Sequence, residues 1–561
     1  MDEPQRRIIS SKRLSMEHSG VALEPGDRER FSALQLEAAK LSSTFKNNVL
    51  DSTKQFQYVI TDAKDLEGVP EGAKAMFSSR AVAAGHKDAT ASSGPWAVTL
   101  DIPSYLACMQ HIKNSSIREA VYRAYLSRAS EFSPPKPVST DAAPDAGADP
   151  LESSYNNTPI IERLLQIRYD MARMLGYNNY AELSLSTKMA GSIPVVMDMY
   201  KELLDASLSA AKSDLTEVET FAIEQCGFKP TTTSRISTGG KCALELWDIP
   251  FYTERLREAK YGFKEEELKV YFALDNVLVG LFSLAERLFG VRIESVPTVY
   301  SESSDTSDCS ENTNAGVVEV WDKDVKFFTI KDSKNDSMIA SFYLDPYSRP
   351  ENKNGGAWMA GCKQKSKLSK QLPTAYLICN GSPPVGDKPA LMTFREVETL
   401  FHEFGHGLQH MLTRVNLAEA SGIANIEWDA VELPSQFMEN WCYDTDTLLK
   451  FARHFETNEP IPVVYMDKLK ASKNFQSGAQ MLRQLYFGAM DMTLHSTAPG
   501  QAPGWVYDIQ KEIAAKYAVV APLPDDRFLN GFAHIFAGGY SAGKSIAMCS
   551  CDIRLLNCVL N

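Results

Sequence analysis

"TFREVETLFHEFGHGLQHMLTR", residues 393–414, is the stretch on which the reading of this chain turns. Thr393, followed three positions later by Glu396, is a capping-box pair, a side-chain signal that opens a helix. Val397, Leu400, Phe401, Phe404, Leu408, Met411 and Leu412 then recur at helical spacing as one apolar stripe. His402 and His406 are four apart, so both project from one face, one turn apart. Two imidazoles placed in this way can bind one tetrahedral zinc ion. Glu403 sits beside the first histidine, offset so that it reaches a zinc-activated water rather than the metal. With nine histidines in 561 residues, a chance HExxH is an event on the order of one in a hundred. His410 lies two turns beyond His402 and is expected to be structural or solvent-facing.

A third ligand is needed. The pattern HExxHxxGxxH is excluded, because Gln409 and Leu412 stand where a glycine and a histidine are required. The alternative is a glutamate on a following helix. "NIEWDAVELPSQFMENW", 425–441, offers Glu427, Glu432 and Glu439. Glu432 lies thirty positions after His402, with Pro434 close behind, which suits the first turn of a helix. That spacing favours Glu432, and Asp429 is a candidate to orient a ligand from behind.

Upstream of 393 the texture changes. "VEVWDKDVKFFTI", "SMIASFYLDPYSR" and "TAYLICN" predict strands at 318–330, 337–349 and 374–380, and "NKNGGAWMAGC" at 352–362 predicts a Gly-rich turn entering another. The first half reads as helical, with amphipathic spacing over 20–60, 103–132, 160–177 and 195–225. The apolar stretch 270–291 is broken by Asp275, Asn276, Glu286 and Arg287, so it predicts a buried helix and not a membrane span. Two inserts, 133–158 (rich in Pro, Ala and Asp) and 300–316 (acidic and Ser-rich), are expected to be disordered and on the surface.

Composition narrows the function. The net charge is -13, which gives no electrostatic footprint for nucleic-acid phosphates. There are ten cysteines and no CxxC pair, so a reducing compartment is expected and a disulfide framework is not. The N-terminus lacks the apolar core of a signal peptide, and Asp2 and Glu3 argue against a transit peptide. The expected location is cytoplasmic, the alternative being a mitochondrion or plastid.

At this level of detail a family becomes recognisable. "FHEFGHGLQHMLTR" followed by "SGIANIEWDAVELPSQFMENWC" closely resembles the thimet oligopeptidase and oligopeptidase A family of zinc peptidases. "NGGAWMAGC", "LRQLYFGAMDMTLH", "FAHIFAGGYSAG" and the earlier "NTPIIERLLQIRYDMARMLGYNNYAELSLSTKMA" also match, and the resemblance runs from about residue 20 to 543 outside the inserts. It implies a mainly α fold with a small β-sheet near the active site: a two-lobed helical ellipsoid with a deep substrate channel and one zinc ion at its floor. It implies His402, His406 and Glu432 as zinc ligands and Glu403 as general base. Gly356 and Ala357 match a segment thought to lie along the substrate backbone. His534 and Tyr540 match a flexible Gly-rich loop that approaches the substrate and its oxyanion. The partners implied are short peptides, with neither nucleic acid nor membrane, and the chain is expected to be a monomer.

By motif the chain divides into a helical part at 1–186, a peptidase part at 187–543 and an atypical tail at 544–561. Compared with the family, the chain looks truncated at both ends. After Gly543 the family's tyrosines give way to "KSIAMCSCDIRLLNCVLN", which holds Cys549, Cys551 and Cys558. Gly543-Lys544-Ser545 can be encoded with a splice-donor-like sequence, so the tail reads as translated intron. The expected function is hydrolysis of internal bonds in short peptides. The alternative is a weak or inactive isoform that binds zinc or peptide without efficient turnover.

Overall fold

A computed structural model of the chain describes residues 1–134, 154–229, 235–237, 240–242, 244–262, 265–301, 316–349, 353, 356–384 and 389–543. The tail at 544–561 and most of both inserts (135–153 and 302–315) lie outside the described residues.

Helices dominate the first half: α1 (Pro25–Gln55), α2 (Ile102–His111), α3 (Ser115–Leu126), α4 (Thr158–Met174), α5 (Tyr180–Leu185) and α6 (Ile193–Glu224). The apolar stretch at 270–291 forms α7 (Leu274–Phe289), closed by left-handed Gly290. The main strands are β1 (Val291–Val296), β2 (Lys326–Asp332), β3 (Met338–Tyr347), β4 (Trp358–Lys363) and β5 (Thr374–Gly381). Then come α8 (Phe394–Met411), α9 (Leu433–Asn440), α10 (Ser477–Ser496), α11 (Trp505–Tyr517) and the single turn α12 (Ala533–Phe536).

Two compact units result. One comprises residues 1–16 and 261–473, the other 17–260 and 474–561. They cut across the motif boundary at 186/187, because segments far apart in sequence share each core.

In the first unit a five-stranded mixed sheet runs in the order β4-β5-β3-β2-β1. Its one parallel pair is β3 with β5; the other pairs are antiparallel. Phe328, Phe342, Leu344, Ala375 and Leu377 pack in one buried cluster with Val277, Leu281 and Leu284 of α7 and Val397, Phe401 and Phe404 of α8. Each fully buried Phe or Leu of this kind contributes about 1.5–3 kcal/mol, so this apolar sandwich sets where α8 lies.

One strand expectation and one helix boundary need correction. The run 318–330 does not form one strand: pairing stops after Glu319 and resumes at Lys326, across a turn at 321–324. Asp322 and Asp324 lie in that turn, where short acidic side chains favour bends over a ladder. The helix expected over 270–291 spans Leu274–Phe289. Gly290 ends that helix, and Val291 starts the pairing with β2.

The second unit has its own core, built from α1, α4, α6, α10 and α11, with Phe45, Tyr200, Leu485 and Phe536 wholly buried. The end of the first insert belongs to it. Asn157 is fully buried and its Nδ2 donates to the carbonyls of Phe45 and Asn530. The surface expectation therefore fails at Tyr155 and Asn157, both buried, and the Asn157 amide donates to the Ala129 carbonyl at 2.8 Å.

Candidate metal centre

Helix α8 begins as its sequence demands. The Glu396 amide donates to Thr393 Oγ1 at 3.1 Å, and the Thr393 amide donates to Glu396 Oε2 at 2.7 Å. Val397, Leu400, Phe401, Phe404, Leu408 and Met411 are buried, which turns the His402–His406 edge away from the core. The two imidazole rings stand 4.9 Å apart between centroids and nearly perpendicular, at 83°.

Glu432 is the residue before α9, and it meets both histidines. Its Oε2 lies 3.2 Å from His402 Nε2 and 3.1 Å from His406 Nε2. The approach is set by a glycine. A Cβ on Gly405 would stand 2.5 Å from the Pro434 carbonyl oxygen and 2.6 Å from Ser435 Cα. The start of α9 thus rests directly on the backbone of α8. Ser435 Oγ donates to Glu432 Oε2 at 3.0 Å and fixes the carboxylate.

The three remaining acids fall elsewhere. Glu427 pairs with Arg7 at 2.9 Å. Glu439 Oε1 lies 2.6 Å from His402 Nδ1. Glu439 therefore stands behind His402; Asp429 is buried in the turn Trp428–Ala430. Glu439 follows Glu432 by seven positions, two helical turns, so it shares a face with it. That spacing is a signal the sequence carries. A carboxylate at Nδ1 keeps the ring proton there and directs the Nε2 lone pair at the site.

The electrostatics are strong. Burial pulls the His402 imidazole down, but the Glu432 and Glu439 carboxylates outweigh it and push it up to about 10. Burial pushes Glu432 up, yet hydrogen bonds from His402 and His406 hold it far below the usual carboxylate range. Glu403 is raised, first by burial, with the two imidazoles pulling back in part. Its side chain is 5% exposed, and Oε2 has no hydrogen-bond partner among the described residues.

The residues fit a metal ion. His402, His406 and Glu432 each offer one ligand atom, all within 4.8 Å of one another. Ligands about 2.0–2.2 Å from a tetrahedral ion stand about 3.3–3.6 Å apart, within a few tenths of an ångström of the spacings here. Two imidazole nitrogens and one carboxylate oxygen are a zinc-type donor set that leaves a fourth position open.

His410 serves the fold. It is fully buried, its Nε2 lies 2.9 Å from the Lys363 carbonyl, and Gly361 and Gly422 leave room for its ring. Gly356 and Ala357 lead into edge strand β4, and Asn380 Nδ2 donates to the Gly356 carbonyl. Neighbouring Gly355 lies outside the described residues. His534 and Tyr540 belong to the second unit, with ring centroids 6.3 Å apart.

The sequence pattern of Peptidase family M3 matches residues 143–543. Organellar oligopeptidase A, chloroplastic/mitochondrial, of Arabidopsis thaliana is 45% identical over 549 residues, 97% of this chain and 63% of that protein. The probable cytosolic oligopeptidase A of the same plant is 44% identical, covering 97% of this chain and 71% of its own length. Oligopeptidase A of Escherichia coli strain K12 is 37% identical, over 97% and 72%. The chain thus spans less than two thirds of the organellar relative and somewhat more of the other two.

The class defined by these matches is that of a metallopeptidase. Within it, the chain belongs to Peptidase family M3. Among the described residues no helix is long and apolar enough to cross a membrane.

Proposed function

We propose that the chain is a zinc-dependent oligopeptidase that hydrolyses internal bonds of short peptides. The observation that carries this reading is the His402–His406–Glu432 group with the unpartnered, buried Glu403 Oε2 beside it. His402, His406 and Glu432 would hold the ion. Bound there, zinc supplies Lewis acidity, polarising a scissile carbonyl and acidifying a water.

The chain's own residues do the rest. Glu403 takes a proton at Oε2 and returns it to the leaving amine; a carboxyl raised toward neutrality suits both transfers. Glu439 holds the His402 ring in one tautomer and one orientation. Edge strand β4, entered through Gly356 and Ala357, is assigned to the substrate backbone, since an edge offers unpaired peptide groups. His534 and Tyr540 are assigned to the oxyanion side of the substrate. That assignment rests on the resemblance of the loop sequence alone. The protein is proposed to act as a monomer in the cytoplasm, as one of its plant relatives is named for.

Bound zinc in the purified chain, measured alongside cleavage of a quenched fluorescent peptide, tests the reading. Zinc with activity that Glu403→Gln abolishes supports it. Zinc without turnover in either protein supports the non-catalytic alternative, and no zinc defeats the ligand assignment.

A further inference from the structure

The second unit contains a buried charge chain. Asp491 and His495 are one turn apart on α10, 1% and 2% exposed. Arg168 Nη1 donates to His495 Nε2 at 2.8 Å. A guanidinium has only donors, so Nε2 accepts and the ring proton sits on Nδ1. That Nδ1 donates to the Asp491 backbone carbonyl at 2.9 Å, and the Asp491 Oδ1 lies 2.9 Å from the same nitrogen. The carboxylate in turn accepts two consecutive backbone amides. Ala542 N donates to Oδ1 at 2.8 Å, and Gly543 N donates to Oδ2 at 3.0 Å.

These amides end the Gly-rich loop. Ala542 has φ +50°, a left-handed conformation that a side chain disfavours. Successive amides converging on one anion form a nest, and here the protein's own aspartate fills it. Ser184 Oγ donates to the carbonyls of Ser541 at 3.0 Å and Ala542 at 3.2 Å, and Tyr180 Oη meets Ser541 Oγ at 3.1 Å. At the other end of the loop, Phe536 is buried against Arg168, whose guanidinium lies 5.8 Å from its ring. Between these fixed ends Gly538 and Gly539 are exposed, and a Cβ at Gly539 would meet nothing within 4 Å. Burial pushes the Asp491 carboxyl up, but His495 and the two amides outweigh it and keep it ionised.

We propose that Asp491, held by His495 and Arg168, is a positioning residue that pins residues 541–543 and thereby sets where Tyr540 stands. The proposal rests on the reading that Tyr540 serves the substrate. Asp491→Asn keeps the shape but turns an amide nitrogen toward one of the two backbone N–H groups, leaving it unpaired.

The test uses the zinc-loaded chain. Asp491→Asn is expected to lower kcat about 10- to 100-fold, with KM and zinc content little changed. In a Tyr540→Phe background the same change is expected to add nothing, because both act through one hydroxyl. Amide exchange gives a readout independent of turnover: Ala542 and Gly543 should lose protection about tenfold or more while the core of α10 does not. Should Asp491→Asn fail to fold, Ser184→Ala carries the same readings at smaller size. Unchanged exchange at 542–543 overturns the proposal, as does a kcat loss of equal size in both backgrounds. A Tyr540→Phe variant with unchanged kcat overturns the assignment of Tyr540 and this proposal with it; reduced kcat with additive losses overturns the proposal alone.

Discussion

Asp345 and Glu403 are both buried carboxylates of the first unit, 2% and 5% exposed, yet their oxygens are treated differently. Asp345 is saturated. Its Oδ1 accepts Arg349 Nη1 at 2.8 Å and Lys353 Nζ at 2.9 Å, and its Oδ2 accepts Arg349 Nη2 at 2.7 Å and Trp321 Nε1 at 3.0 Å. Glu403 has an oxygen with no hydrogen-bond partner among the described residues. A buried polar atom left without a hydrogen bond costs about 1–3 kcal/mol. The saturated acid holds structure together, whereas the unsaturated one is free to exchange a proton.

The contrast can be broken at either end. Glu403→Gln is expected to lower kcat/KM by about 10²–10⁴ with zinc content retained and thermal stability no lower, since no protein bond to Oε2 is lost. Steady-state kinetics beside a melting curve checks both halves. A substantial fall in Tm would place Glu403 among the structural acids.

Asp345→Ala should do the reverse. It removes the carboxylate that faces the buried Lys353 ammonium and leaves Arg349 with Asp322, 3.2 Å away, at a cost of about 3–5 kcal/mol, read from the urea midpoint. The pH dependence follows. Burial pushes the Asp345 carboxyl up, but Arg349, Lys353 and Trp321 outweigh it and hold it below its ordinary value. Its contribution is therefore complete above about pH 4 and is lost as pH falls through the depressed folded value. Wild type should lose more stability on acidification than the variant, and parallel curves would refute the assignment.

Gly405→Ala sharpens the comparison by moving a ligand without touching one. The added methyl overlaps the Pro434 carbonyl, so α9 must shift or strain by about 1–3 kcal/mol. Zinc affinity should fall, and chelator competition measures it. Glu439→Gln should weaken zinc affinity about 10- to 100-fold, less than loss of a direct ligand. His410→Gln is the smallest case: loss of one hydrogen bond, about 0.5–1.5 kcal/mol, with zinc content unchanged. Zinc loss here would make His410 part of the metal group.

Much of this was legible beforehand. The helix at 393–414, its cap, its buried stripe and the paired histidines are local patterns, and local patterns survive in a linear text. The sheet was legible in outline, but its register and the break at 321–324 were not, because pairing partners are distant in sequence. Gly405 is a contact surface for Pro434 and Ser435, which lie about thirty positions away in the sequence. Asp491 and His495 stand in the quoted stretch LRQLYFGAMDMTLH, but their meeting with residues 542–543 and Arg168 is written nowhere in it.

The candidate third ligand marks the boundary most clearly. By itself the sequence determined that two imidazoles share a helix face and that a glutamate among Glu427, Glu432 and Glu439 could join them, with spacing favouring one. Only the tertiary structure assigned each acid its place: Glu427 on Arg7, Glu432 between the two histidines and Glu439 behind His402. The periodicity of one helix is set by its own backbone. Which side chain of another helix reaches it is set by how closely the two backbones can approach, and that distance exists only once both are packed on a common core.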